Sequence, residues 1–104
     1  MVEVPELTDG EFCEFIKKGN VLVDFFAEWC MPCLMMTPVI DELSEKFNGK
    51  IRFGKVNVDD NSKIAQKFHV TSIPTFILFK DGNPVEHITG SMPNEEFGDK
   101  LSQF

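Results

Sequence analysis

Long apolar runs are missing from this chain. The longest, residues 21–23 ahead of Asp24 and residues 74–79, fall far short of the roughly 20 residues that cross a bilayer as a helix. Cations are scarce as well. Ten Lys and Arg stand against seventeen Asp and Glu, for a net charge of −7, which argues against binding held together by phosphate contacts and so against nucleic acid or an anionic membrane as partner. The opening segment from Met1 to Gly10 carries Glu3, Glu6 and Asp9 and shows neither the basic start nor the apolar stretch of a secretory signal. The cytoplasm is therefore the expected compartment. Repeats, linkers and low-complexity tracts are absent, and no Gly-rich dinucleotide signature occurs. Cysteine is sparse and odd in number, at three, which excludes a disulfide framework and directs attention to catalysis or metal binding.

What is present is ordinary globular composition, 42% hydrophobic and 26% charged over 104 residues, enough for one domain spanning residues 1–104 with a core of its own. Eleven Phe residues predict an aromatic core. Thr8 and Glu11 have capping-box spacing ahead of Phe12, Phe15 and Ile16, so residues 9–18 read as a helix that Gly19 stops. Residues 21–27 read as a strand covered on both faces. Pro32 suits the first turn of a helix reaching about Phe47, with a kink expected at Pro38. Residues 51–58 form the next strand, residues 62–68 a short helix, and residues 74–80 another central strand. Asp81-Gly82 signals a hairpin into a strand over residues 85–89. A last helix starts near Pro93 and turns Phe97, Leu101 and Phe104 inward. This order predicts an α/β fold with a central mixed sheet and helices on both faces.

Two of the cysteines are Cys30 and Cys33, spaced by Met31 and Pro32. A Cys at the start of a helix meets unpaired backbone N–H groups and the positive end of the helix dipole, and both favour the thiolate. Cys30 is thus the candidate nucleophile, with a solvent-facing thiol. Cys33, one turn further in, is the candidate resolving thiol, within disulfide reach but shielded from outside attack. The same spacing supplies half of many zinc sites, but Cys13, His69 and His87 are scattered singly and offer no second pair of ligands.

The segment Val23-Asp24-Phe25-Phe26-Ala27-Glu28-Trp29-Cys30-Met31-Pro32-Cys33 resembles the active-site strand and helix of the thioredoxin family, with the usual pattern V-D-F-W-A-x-W-C-G-P-C. Lys55-Val56-Asn57-Val58-Asp59, Ile73-Pro74-Thr75 with the strand leading to Asp81-Gly82, and Gly90 match in order. The resemblance implies the thioredoxin fold and a protein dithiol-disulfide oxidoreductase. Cys30 would attack, Cys33 would resolve, Asp24 would be the buried carboxylate beneath them, and Lys55 its neighbour. Pro74 would be a cis proline facing the dithiol, and Trp29, Met31, Ile73 and Gly90 would border a substrate groove. The implied partners are disulfide-containing proteins and a thioredoxin reductase that restores the dithiol of a monomeric chain. No cofactor beyond the Cys30–Cys33 redox pair is implied.

Three positions depart from the pattern: Met31 replaces Gly, Phe26 replaces Trp, and Leu34 replaces a basic residue. Loss of a cation at position 34 slightly weakens stabilisation of a Cys30 thiolate. An oxidase or isomerase of the same fold is the nearest rival, but those usually carry a His between the cysteines. A noncatalytic interaction module using the Trp29, Ile73 and Gly90 surface is the rival of a different class. From pattern alone, Asp24 is expected to be buried, Lys55 is nearly as readily an exposed strand residue, and Trp29 is better explained as a partly exposed contact than as core. Cys13, beside Phe12 and Ile16, is expected to be a small buried hydrophobe rather than a regulatory thiol. His69 and His87 are expected at the surface, His69 towards the reactive face.

Overall fold

In a computed structural model, which describes residues 4–104, the helices and strands follow one another in the expected order. The elements are α1 (Asp9–Ile16), β1 (Asn20–Phe26), α2 (Met31–Lys46), β2 (Ile51–Asn57), α3 (Ser62–Lys67), β3 (Thr75–Lys80), β4 (Asn83–Thr89) and α4 (Asn94–Leu101). Residues 1–3, part of the acidic opening segment, lie outside the described residues.

The local chemistry accounts for the boundaries. Thr8 and Glu11 form a reciprocal capping box at the start of α1, satisfying N–H groups that have no partner within the helix. Pro93, an extended residue without an N–H to leave unsatisfied, precedes α4. Asp81 and Gly82, with φ of 50° and 88°, turn β3 into β4, as an Asp-Gly pair in a tight hairpin requires. The helix α2 runs unbroken through Pro38, so the expected kink does not end or divide it. Pro38 leaves the Leu34 carbonyl without its usual N–H partner, and both residues are exposed, where water can satisfy that oxygen.

The sheet order is β2-β1-β3-β4, with β1 parallel to β2 and antiparallel to β3, and β3 antiparallel to β4. It is a mixed sheet, and alternation along the two central strands feeds a different core on each face. Leu22, Phe76 and Leu78 join Met36, Ile40 and Leu43 of α2 and Phe97 and Leu101 of α4. Val21, Val23, Phe25, Ile77 and Phe79 join Phe12 and Ile16 of α1 and Ile64 of α3. Phe12 meets Phe79 edge to face at 5.6 Å between ring centroids, and Phe76 meets Phe97 likewise at 4.8 Å. Each such ring, fully buried, contributes about 2–3 kcal/mol through removal from water.

Two expectations fail here. Cys13 is exposed, because Phe12 and Ile16 are one turn apart on the inward stripe of α1 and the residue after Phe12 is rotated about 100° away from it. Phe104 is 45% exposed, since α4 ends at Leu101 and the last residues turn back on it, with the Phe104 N–H donating to the Leu101 carbonyl at 3.2 Å.

One feature of the sheet is absent from the sequence reading. The segment before α1 lies along the outer edge of β2: the Leu7 N–H donates to the Lys55 carbonyl at 2.7 Å and the Lys55 N–H to the Pro5 carbonyl at 2.9 Å. Gly54 makes room for it, for a Cβ at that position would stand 2.9 Å from both Leu7 Cδ1 and Phe15 Cε2.

Candidate active site

The strand β1 ends at Phe26, and the chain turns through Ala27, Glu28 and Trp29 into α2. Cys30 closes that turn, its N–H donating to the Ala27 carbonyl at 3.2 Å, and serves as N-cap of the helix in an extended conformation. Its Sγ accepts the Cys33 N–H at 3.2 Å. A backbone donor and the positive end of a helix thus converge on one sulfur, the arrangement that stabilises negative charge there. Pro32 occupies the first turn, where a missing N–H costs nothing. Cys30 and Cys33 are joined as a disulfide with their Cα atoms 5.2 Å apart.

The expected contrast between a solvent-facing Cys30 and a shielded Cys33 does not appear as residue exposure, which is 4% and 3%. Both pack with Ala27, and Phe26, Val58 and Ile73 lean on the pair. The asymmetry lies in the bonding, since Cys30 caps the helix and Cys33 is inside it.

Asp24 sits two residues before the end of β1, on the face covered by α2, and its Cα is paired with that of Lys55 on β2. The residue is 8% exposed, and its Oδ1 is buried without a hydrogen-bond partner. Burial pushes its pKa up to about 7, with the Lys55 charge opposing part of the rise. The Lys55 Nζ lies 5.7 Å from the centre of the Phe26 ring, so its charge also rests on an aromatic face. A cavity of about 260 Å³ brings Asp24, Lys55 and Cys33 together, walled by Phe26, Leu34, Thr37, Ile40 and Asp41, with Val4 of the N-terminal segment at its edge.

The residues expected to border a substrate groove gather around the same end of β1. The Ile73–Pro74 peptide bond is cis, and the Pro74 carbonyl accepts the Gly90 N–H at 2.9 Å, tying the loop before β3 to the end of β4. Gly90 has φ of 88°, a conformation that suits glycine. Trp29 is 69% exposed and Met31 65%. His69 and His87 are both at the surface.

Three participants escaped the sequence reading. Asp59 accepts the Trp29 Nε1–H at 2.8 Å and so holds the exposed indole in place. Asn57 steadies that loop, its Oδ1 accepting the Asp59 N–H at 3.0 Å. The Thr37 hydroxyl donates to the Cys33 carbonyl at 3.4 Å. Asp59 and Asn57 stand within the quoted Lys55–Asp59 segment, where the motif gave them no separate role; nothing in the sequence singles out Thr37.

The family model for thioredoxin matches residues 3–103. The chain belongs to the thioredoxin family. Among curated relatives it is 45% identical to a thioredoxin of Staphylococcus haemolyticus, 43% to one of Staphylococcus saprophyticus and 42% to one of Staphylococcus aureus, each over 96% of both chains. With the Cys30–Cys33 disulfide at the head of α2, membership identifies a dithiol-disulfide oxidoreductase of the thioredoxin fold. Among the described residues no helix is long and apolar enough to cross a membrane.

Proposed function

We propose that this chain reduces disulfides in other proteins as a monomeric, single-domain carrier in the cytoplasm, and that a thioredoxin reductase restores its dithiol. Neither nucleic acid nor membrane is a partner, and the Cys30–Cys33 pair is the only redox group required. The observation that carries the reading is the Cys33 N–H donating to Cys30 Sγ at the start of α2, which makes Cys30 the better thiolate.

In the reaction, the Cys30 thiolate attacks one sulfur of the substrate disulfide. That bond breaks, the second substrate sulfur leaves as a thiolate that takes up a proton, and a mixed disulfide joins Cys30 to the substrate. Cys33 then gives its proton to Asp24 and attacks Cys30 Sγ, forming the Cys30–Cys33 disulfide and releasing the other substrate sulfur. Two electrons pass to the substrate. A carboxyl titrating at about 7 is matched to this task, because a general base works best near the operating pH. Lys55 tunes that carboxyl. Trp29, Met31, Ile73, Pro74 and Gly90 receive the substrate segment beside Cys30.

Replacement Cys33→Ser tests the assignment. Attack by Cys30 proceeds and resolution does not, so a reducible protein substrate accumulates as a mixed disulfide on Cys30, visible by mass and released by dithiothreitol. Multiple turnover by Cys33→Ser at the wild-type rate, with no trapped species, refutes it.

A further inference from the structure

Two features of the reactive face are not used by the electron transfer itself. Met31, Leu34 and Met35 stand at i, i+3 and i+4 on the first turns of α2, side by side on one stripe, and are 65%, 50% and 71% exposed. The inward stripe of the same helix is Cys33, Met36, Ile40 and Leu43, so these three have no part in the core. An apolar stripe of this kind beside a reactive sulfur is a contact surface for another molecule.

The second feature is the distribution of charge. Glu28, Asp59 and Asp60 are exposed on the loops that follow β1 and β2, at the end of the sheet that carries Cys30, and Asp59 is bonded to the Trp29 indole. Among the residues of these loops and the turns they enter, Lys63 is the one exposed cation, with Lys55 half-buried beneath. Cations gather at the opposite end instead. Lys17, Lys18 and Arg52 line one open cleft there, and Lys80 is paired with Asn20 at the start of β1. Leu34 supplies no charge to offset the carboxylates, so the reactive end presents an apolar stripe on the first turns of α2 after Cys30 and an acidic edge beside Trp29.

We infer that this face selects protein disulfides whose flanking residues are apolar on one side and Lys or Arg on the other, the apolar side chain lying on Met31, Leu34 and Met35 and the cation meeting Glu28, Asp59 and Asp60. The inference rests on Cys30 and Cys33 being the reducing pair. Complementary charge acts chiefly on encounter, raising association rates by one to several powers of ten at low ionic strength.

The test uses the reduced chain and three peptides closed by the same disulfide loop, flanked by Leu and Lys, by Leu and Glu, or by Ser and Lys, with neutral hydroxyethyl disulfide assayed beside them. Second-order rates of reduction are read by rapid mixing. The Leu/Lys peptide is expected to react about tenfold or more faster than Leu/Glu at low salt, with the ratio falling towards one at 1 M salt, where the Debye length is about 3 Å. In the double variant Glu28→Lys, Asp60→Lys the ratio collapses or inverts. In Met35→Ser the advantage of Leu/Lys over Ser/Lys shrinks. Equal wild-type rates for Leu/Lys and Leu/Glu at low salt, or a ratio indifferent to the double variant, overturns the selectivity while leaving the reducing pair intact. Failure of the wild type to reduce any of the peptides or hydroxyethyl disulfide overturns the reducing pair itself.

Discussion

Replacing Asp24 by Asn isolates what a buried carboxyl costs the fold. The group titrates at about 7 in the folded chain against an ordinary value of 3.8, so the folded state holds the proton more tightly than the unfolded state does. The sign follows from linkage: the stability that comes with the protonated form is complete below 3.8 and is lost as pH rises through about 7. At about 1.36 kcal/mol for each pH unit between the two values, ionised Asp24 costs on the order of 4 kcal/mol in alkaline solution, and roughly 3 kcal/mol of stability disappears between about pH 5 and pH 8.5. Asn cannot ionise. It also leaves a buried amide imperfectly partnered, a penalty of about 1–3 kcal/mol, but that penalty does not change with pH and cancels when two pH values are compared. The assay is therefore a pair of melting curves, wild type and Asp24→Asn, at about pH 5 and pH 8.5. The variant is expected to gain on the wild type by about 3 kcal/mol across that interval, equivalent to on the order of ten degrees in Tm for a domain of this size. A gap in Tm that does not move with pH refutes the raised pKa. Single-turnover reduction on the same samples separates structure from catalysis: release of the substrate from Cys30 should slow in the variant, whereas attack by Cys30 changes less.

Limiting iodoacetamide at neutral pH should modify Cys30 of the reduced chain ahead of Cys33 and ahead of exposed Cys13, since only Cys30 caps a helix; peptide mapping that finds Cys13 labelled first overturns the ranking. Equilibration with a dithiothreitol or glutathione series should give a potential within a few tens of millivolts of the general thioredoxin value of about −270 mV, whereas a value near −120 mV marks a dithiol oxidant. Gly54→Ala should cost about 1–3 kcal/mol in denaturant melts by pressing a methyl group against Leu7 and Phe15, and an unchanged midpoint shows that the edge segment yields freely.

The order and type of the elements were legible because each carries a local signal: the Thr8/Glu11 box, the apolar run of β1 broken only by Asp24, Pro32 at a first turn, the Asp81-Gly82 hairpin. The family motifs brought Cys30, Asp24, Lys55 and Pro74 to attention, and register now explains why Asp24 and Lys55 share a cavity, their Cα atoms being paired across parallel strands. Local patterning could not supply what depends on the third dimension. Cys13 departs from its pattern because its neighbours in sequence are core residues while its direction from the helix axis is not theirs. The bond from Trp29 to Asp59 spans 30 positions and leaves no periodic trace, and equal burial of the two cysteines reflects packing by Val58 and Ile73, contributed from other parts of the chain.

The N-terminal segment that borders β2 has a practical consequence for anyone handling this protein. Pro5 and Leu7 grip the backbone of Lys55 from both directions, and Val4 stands at the rim of the cavity that holds Asp24. An affinity tag or a deletion just ahead of Val4 thus acts close to the electrostatic setting of the Asp24 carboxyl. The carboxyl end, where Phe104 is exposed beyond the last helix, is the quieter place for a purification handle. Preparations tagged at opposite ends should be compared by their pH profiles before their rates are pooled.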